Sequence, residues 1–261
     1  MTFYAKTDQT YEEHIEAVYV AWKQTISAKK HLLERAASLY DFSLERFLKG
    51  SLLTIAIHDI GKMNRSFQEM IRAARENKPF NKRLSFRHEL LSLIYAIEYW
   101  KEINRNDWLL SFPLEAIVIA AHHKTLDTDL SSFNKELYME LPKIIDEGIN
   151  EGINIAESIF IREGFIFPKI KIENDHKPVG LLKKIVDSLY TFTERDGPEK
   201  CRTIYFLMRG ILHYADWHAS GRKTVVYSVI KDKSEIVLGI KSRCEEKGIK
   251  FTGLKKFQEE C

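Results

Sequence analysis

Ile57-His58-Asp59-Ile60-Gly61-Lys62 follows an apolar run that starts at Leu52. The stretch reads as the end of a buried helix over residues 43–60, with Leu44, Phe47, Leu48, Leu52 and Ile55 facing inward. Gly61 is the natural C′ residue to stop it. His58 stands directly beside Asp59, and Lys62 follows one short turn later. Imidazole and carboxylate suit the same first-row divalent ions and water-activating chemistry. A packed helix behind such a pair would hold both ligands still. One His-Asp pair is common by chance. Its weight comes from the other helix ends of this chain, which carry His14, His88, His122, His123 and Asp216.

Thr10-Tyr11-Glu12-Glu13 has the pattern of a capping box, followed by the apolar stripe Ile15, Val18, Tyr19, Trp22 and Ile26. His14 falls in the first turn, where a proton gains nothing from the helix dipole. Its ring is better neutral there, as a ligand must be, although an edge histidine packed on the core fits equally. Ser85 can cap a further helix with His88 in its first turn, Ser92 one turn later, and Leu90, Leu93, Ile94 and Ile97 as the buried stripe. Pro113 suits position N1 of a helix that is apolar all round from Ala116 to Ala121 and ends in His122-His123. Adjacent residues lie about 100° apart on a helix, so both imidazoles can face one site only at a frayed end. Pro198 opens and Gly221 closes the last long helix, striped by Ile204, Met208, Ile211 and Ala215. Asp216 continues that line, and a buried carboxylate needs a cation or a full set of hydrogen bonds. Ser220 lies one turn further on the same face; His213 and His218 fall off it and read as packing, with His213 placed to support a ligand.

Between these segments the chain is plainer. Residues 62–87 carry Lys62, Arg65, Arg72, Arg75, Lys78, Lys82, Arg83 and Arg87 against Glu69 and Glu76, with Phe67, Phe80 and Phe86 interleaved. Cations among aromatics suit a single-stranded nucleic acid, and equally an ordinary solvated helix and loop. Helices are expected around 136–163 and 180–193, with a loop containing His176 between them. Val225 to Ile230 can form a short strand, and 233–247 a helix.

The totals exclude several classes. At 44% hydrophobic and 30% charged over 261 residues, the chain has the composition of a folded domain rather than a disordered one. No apolar run approaches the length of a membrane span. Three widely spaced cysteines, with no Cys-x-x-Cys, argue for reduced thiols and against a zinc ribbon. With no signal-peptide pattern at Met1 to Lys6, a cytoplasmic location is expected. The net charge of +3 says little about nucleic acid by itself.

The ordered set His14, His58-Asp59, His88, His122-His123 and Asp216-x-x-x-Ser220 resembles the HD superfamily of metal-dependent phosphohydrolases. Within it the pattern is similar to the HD nuclease domain of the CRISPR-associated helicase-nuclease of type I systems, with the His-His doublet as the discriminating part. The resemblance implies an all-α HD-superfamily domain, expected over residues 1–250, with its metal site built at helix ends. It implies one ion held by His14, His58, Asp59 and Asp216, and a second held by His88, His122 and His123 with Asp59 bridging. A histidine-rich shell favours Mn, Fe, Co, Ni or Zn, with Mg allowed. Lys62 and Ser220 match family positions near the scissile phosphate. The implied activity is hydrolysis of single-stranded DNA in antiviral defence, with a helicase, fused or separate, and a CRISPR RNA-guided surveillance complex as partners. Leu254 to Gln258 is similar to the start of the fused helicase, so 251–261 is expected to begin a linker. No Gly-x-x-x-x-Gly-Lys-Ser/Thr phosphate loop occurs in the 261 residues, so no ATP hydrolysis by them is expected. The rival readings are a phosphohydrolase of nucleotides or cyclic dinucleotides, and an adaptor with a vestigial site.

Overall fold

The structure, a computed structural model, describes residues 2–79, 87–123, 146–170 and 178–221. The expected strand at 225–230, helix at 233–247 and linker at 251–261 lie outside the described residues, as do Phe80, Ser85, Phe86 and His176. The described residues fall within one unit of chain contacts, Met1–Thr224.

The fold is all-α, as expected. The helices are α1 (Tyr11–Ala28), α2 (Lys30–Leu39), α3 (Leu44–Ile57), α4 (Arg65–Arg75), α5 (His88–Glu102), α6 (Leu114–Ala120), α7 (Asp146–Arg162), α8 (Pro178–Asp196) and α9 (Pro198–Ser220). Among the described residues no helix is long and apolar enough to cross a membrane. A two-stranded antiparallel hairpin, β1 (Tyr4–Lys6) and β2 (Gln9–Thr10), precedes them and was not anticipated. Strands this short carry too little alternation to show a period. Phe3 and Ala5 point into the core while Tyr4 and Lys6 stay partly open.

Helix α3 is the hub. It packs against α1, α5, α6, α7 and α9, and its second half is buried on every side. Such a helix must satisfy its polar side chains internally. Ser51 accepts a hydrogen bond from Trp22 Nε1 at 3.0 Å, and Thr54 Oγ1 donates to Ser51 O at 2.7 Å. Ser43 caps the start by accepting from Arg46 N. The helix stops at Ile57 rather than residue 60, and a 3-10 turn, Ile60–Met63, follows. Gly61 therefore does not serve as C′, and it is not among the residues with positive φ. Its need is steric: a Cβ there would stand 2.0 Å from His88 O and 2.9 Å from Leu91 Cβ. The glycine lets α5 lie directly on the turn. Its N–H donates to Ser92 Oγ at 2.9 Å, which fixes that contact.

Helix α1 begins with the expected capping box at Thr10 and Glu13. Pro113 occupies the N-cap of α6, one position before N1, and Arg87 stands at the N-cap of α5 without a side-chain cap. Arg87 instead pins α5 to α6. Its Nη2 donates to Ala120 O at 2.9 Å while its Nε meets Glu89. His88 is thereby set beside the end of α6.

Helix α6 also buries Glu115, against the notch left by Gly50: a Cβ at Gly50 would stand 2.5 Å from Glu115 Oε1. Burial raises this carboxyl from 4.5 to about 7. The unfolded chain loses the proton near pH 4.5, the folded one near 7, so this contribution to stability is complete below 4.5 and is lost as pH rises through 7. Its size is on the order of 3 kcal/mol. Glu115→Gln keeps the shape without the charge, so it should be more stable than wild type at pH 8 by about that amount. Urea midpoints of the two proteins measured from pH 5 to 8 check this, and parallel curves would refute it.

Candidate metal centre

Five elements aim side chains at one buried region. His14 comes from the first turn of α1, and His58 and Asp59 from the end of α3. His88 starts α5, His122 and His123 follow α6, and Asp216 lies in the last turn but one of α9. Among the described residues the nitrogen and oxygen atoms form two groups, each with its atoms within 4.8 Å of one another. One is His14, His58 and Asp59; the other is Asp59, His88, His122 and His123. Asp59 belongs to both, and each of its oxygens faces one set. Oδ2 lies 3.1 Å from His14 Nε2 and 3.5 Å from His58 Nε2. Oδ1 lies 2.9 Å from His88 Nε2 and 3.8 Å from His122 Nε2. Asp216 stands beside the first group, its Oδ1 3.3 Å from His14 Nε2 and 3.9 Å from His58 Nε2.

Two of the histidines, His58 and His122, are aimed by backbone carbonyls three residues before them. Nδ1 of His58 lies 3.0 Å from Ile55 O, and Nδ1 of His122 lies 2.6 Å from Ile119 O. Each contact makes Nδ1 the protonated nitrogen and leaves the Nε2 lone pair facing the site. Nε2 of His14, His58, His88 and His122, and Oδ1 of Asp59, are buried without a well-directed hydrogen bond. Buried polar atoms rarely lack partners. Atoms this close that form no well-directed bonds with one another have the arrangement a shared cation would need, so the donor set fits a divalent metal.

Electrostatics point the same way. Burial alone would raise the Asp59 carboxyl, but Lys62, His58, His14 and His88 hold it well below the usual carboxylate range. Asp216 is also held low, its burial outweighed by His14 and His58. Burial pushes His58, His122 and His123 down, toward the neutral, ligating form. His14 differs from the neutral ring expected of its first-turn position. Burial lowers it, yet Asp216 and Asp59 together raise it. A proton at His14 answers the same two carboxylates that a cation would.

The other named residues fall as follows. Lys62, left open between a solvated charge and a phosphate contact, is buried, with Nζ 2.6 Å from Asp59 Oδ2. Ser220 Oγ donates to Asp216 Oδ1 at 3.1 Å. His213 lies beside the His122 backbone, and burial lowers its pKa. Of the basic segment, Lys82 and Arg83 lie outside the described residues, and several of the described cations already have partners. Arg65 pairs with Glu69, Lys78 with Glu76, Arg75 covers Tyr4 and Arg87 ties α5 to α6. Phe67 packs edge-on to His88, with ring centroids 5.6 Å apart. Lys6, Gln68 and the Ser92–Gly61 bond leave no local signal in the sequence, because their partners lie far off in it.

A His-Asp pair at the end of a buried helix, met by histidines from three other elements, defines a helical HD domain able to hold a divalent metal. The profile of the Cas3 HD domain matches residues 14–225, and the chain belongs to that family. It is 25% identical over 174 residues to the CRISPR-associated endonuclease Cas3-HD of Pyrococcus furiosus, which covers 62% of this chain and 68% of the relative. Superposition on the CRISPR-associated Cas3 HD domain protein from Methanocaldococcus jannaschii gives a TM-score of 0.49 at 18% identity, over 83% of this chain and 99% of the other.

Proposed function

We propose that this chain hydrolyses DNA phosphodiester bonds, single strands by preference, in CRISPR antiviral defence. The observation that carries the reading is Asp59, whose two oxygens face two separate sets of histidines. His14, His58, Asp59 and Asp216 would hold one ion, and His88, His122, His123 and Asp59 a second. Divalent ions of the Mn, Fe, Co, Ni or Zn kind suit these donors better than Mg, and when bound they supply Lewis acidity toward a phosphodiester. The family of the chain and the name of its Pyrococcus relative support a nuclease over a nucleotide phosphohydrolase.

The chain's own residues do the rest. The carbonyls of Ile55 and Ile119 keep His58 and His122 in one tautomer. Ser220 orients Asp216. Lys62, with three ammonium donors, can hold an oxygen of the phosphate group while keeping its contact with Asp59. His123 is the exposed member of its group and edges the entrance. All the other donors are buried or nearly so, so a phosphate must reach inward to meet them. A single strand can bend to do that, whereas duplex DNA is wide and stiff. Strand supply would fall to a helicase, fused or separate, working with an RNA-guided complex in the cytoplasm.

Chelator-stripped protein should lose cleavage, and Mn, Ni or Co should restore it better than Ca. Restored protein should cut single-stranded DNA at least roughly tenfold faster than a matched blunt duplex, without ATP. Nucleotides and cyclic dinucleotides serve as competing substrates in the same assay. Full cleavage in excess chelator, equal cutting of both DNA forms, or a preference for nucleotides would overturn the reading.

A further inference from the structure

A second lysine reaches the centre from the hairpin. Lys6 Nζ donates to Ser220 O at 2.8 Å, and Ser220 is the residue whose hydroxyl holds Asp216. Lys6 forms no ion pair within 4.0 Å among the described residues; its one recorded hydrogen bond goes to a neutral carbonyl. Burial lowers its pKa, and the strongest charges acting on it after burial are Asp216, Lys62 and Asp59, all from the centre.

The hairpin that carries Lys6 is held unusually firmly for its length. A two-stranded ribbon is marginal by itself. Here Phe3 and Ala5 are sunk in the core, and Tyr11 N donates to Phe3 O at 2.9 Å. The buried amide of Gln68 then completes the edge of β1. It accepts from Tyr4 N at 3.1 Å and donates to Tyr4 O at 3.0 Å, as a third strand would. The same Nε2 donates to Lys62 O at 3.0 Å. One side chain therefore sets the strand bearing Lys6 in register with the turn bearing Lys62. Strand alternation places Tyr4 and Lys6 on the face away from the core, and Lys6 stays partly open to solvent.

We propose that Lys6 is a substrate-positioning residue, an ammonium fixed at the rim of the metal centre that binds a phosphate of the DNA strand next to the one being cut. The proposal rests on the nuclease reading above. Lys62 lies buried on Asp59 and serves the reacting phosphate; Lys6, tied only to a carbonyl, has donors left for a neighbouring one.

The full chain and its Lys6→Met and Lys6→Arg variants are compared with Mn and single-stranded DNA. Lys6→Met should raise KM about tenfold while kcat stays within about twofold, and Lys6→Arg should restore most of the loss. In DNA binding measured by anisotropy without metal, the salt slope of Lys6→Met should fall by about 0.7, one single-strand phosphate contact. Mn affinity by calorimetry should not change. A fall in kcat at constant KM, or weaker Mn binding, would make Lys6 a mere cap on α9 and overturn the proposal. So would a wild-type KM and salt slope in Lys6→Met. A wild-type chain that neither binds nor cuts DNA would instead remove the nuclease reading itself.

Discussion

Replacing Asp59 with asparagine is expected to abolish cleavage, by roughly 10³-fold or more, while the helical fold persists. The expectation follows from the division of labour between the two oxygens. Oδ2 serves His14, His58 and Lys62; Oδ1 serves His88 and His122. An amide can present one oxygen only. If it faces the first set, an NH2 group points at His88 Nε2, 2.9 Å from the present oxygen, and the second set has a donor where it needs an acceptor. If it faces the second, the NH2 group meets the Lys62 ammonium, which already donates at 2.6 Å. Either way one group of ligands is broken. Metal content should drop below that of wild type under the same loading, and helical circular dichroism should change little. His31→Ala is the matching control, since that ring is 99% exposed on α2, and it should cut normally. Wild-type cleavage by Asp59→Asn would mean that the chemistry lies elsewhere in the chain.

What the sequence displayed was mostly local. The capping box at Thr10, the all-round apolar α6 and the Pro198–Gly221 frame of α9 each depend on neighbours a few residues apart, and each stands in the structure. The candidate metal ligands showed in the sequence only as residue types at helix ends. Their division into two groups came from a family resemblance, since spacing alone cannot say which distant helices meet. The misses share one cause. Gln68 bonds Tyr4 across 64 residues, Gly61 bonds Ser92 across 31 and Lys6 bonds Ser220 across 214; nothing in a short window encodes such pairs. Lys62 was ambiguous for the same reason: burial of a lysine is decided by what packs over it. Glu115 did leave a signal, a lone acid in an apolar helix, whose meaning became plain only with the notch at Gly50.

Gly61→Ala is expected to lower cleavage by about 100-fold or more and to weaken the His88 side of the centre selectively. The new methyl carbon would stand 2.0 Å from His88 O, 2.9 Å from His88 C and 2.9 Å from Leu91 Cβ. The first two are backbone atoms at the start of α5, so no rotamer change can relieve them. Helix α5 must move off the turn, and the 2.9 Å bond from Gly61 N to Ser92 Oγ must stretch or break. Overpacking of this kind costs about 1–3 kcal/mol or more, so the urea midpoint should also fall. His88 moves with the helix, away from Asp59 Oδ1, and a displacement near 1 Å at a reacting centre can cost about 10²-fold. His14 and His58 sit on α1 and α3, whose mutual packing does not pass through Gly61, so their half of the centre should survive. The signature is partial: a titration with Mn should retain one class of sites and lose or weaken another, with cleavage nearly gone. Unchanged metal binding and cleavage in a folded Gly61→Ala protein would show that contact between α5 and the turn is not what positions His88.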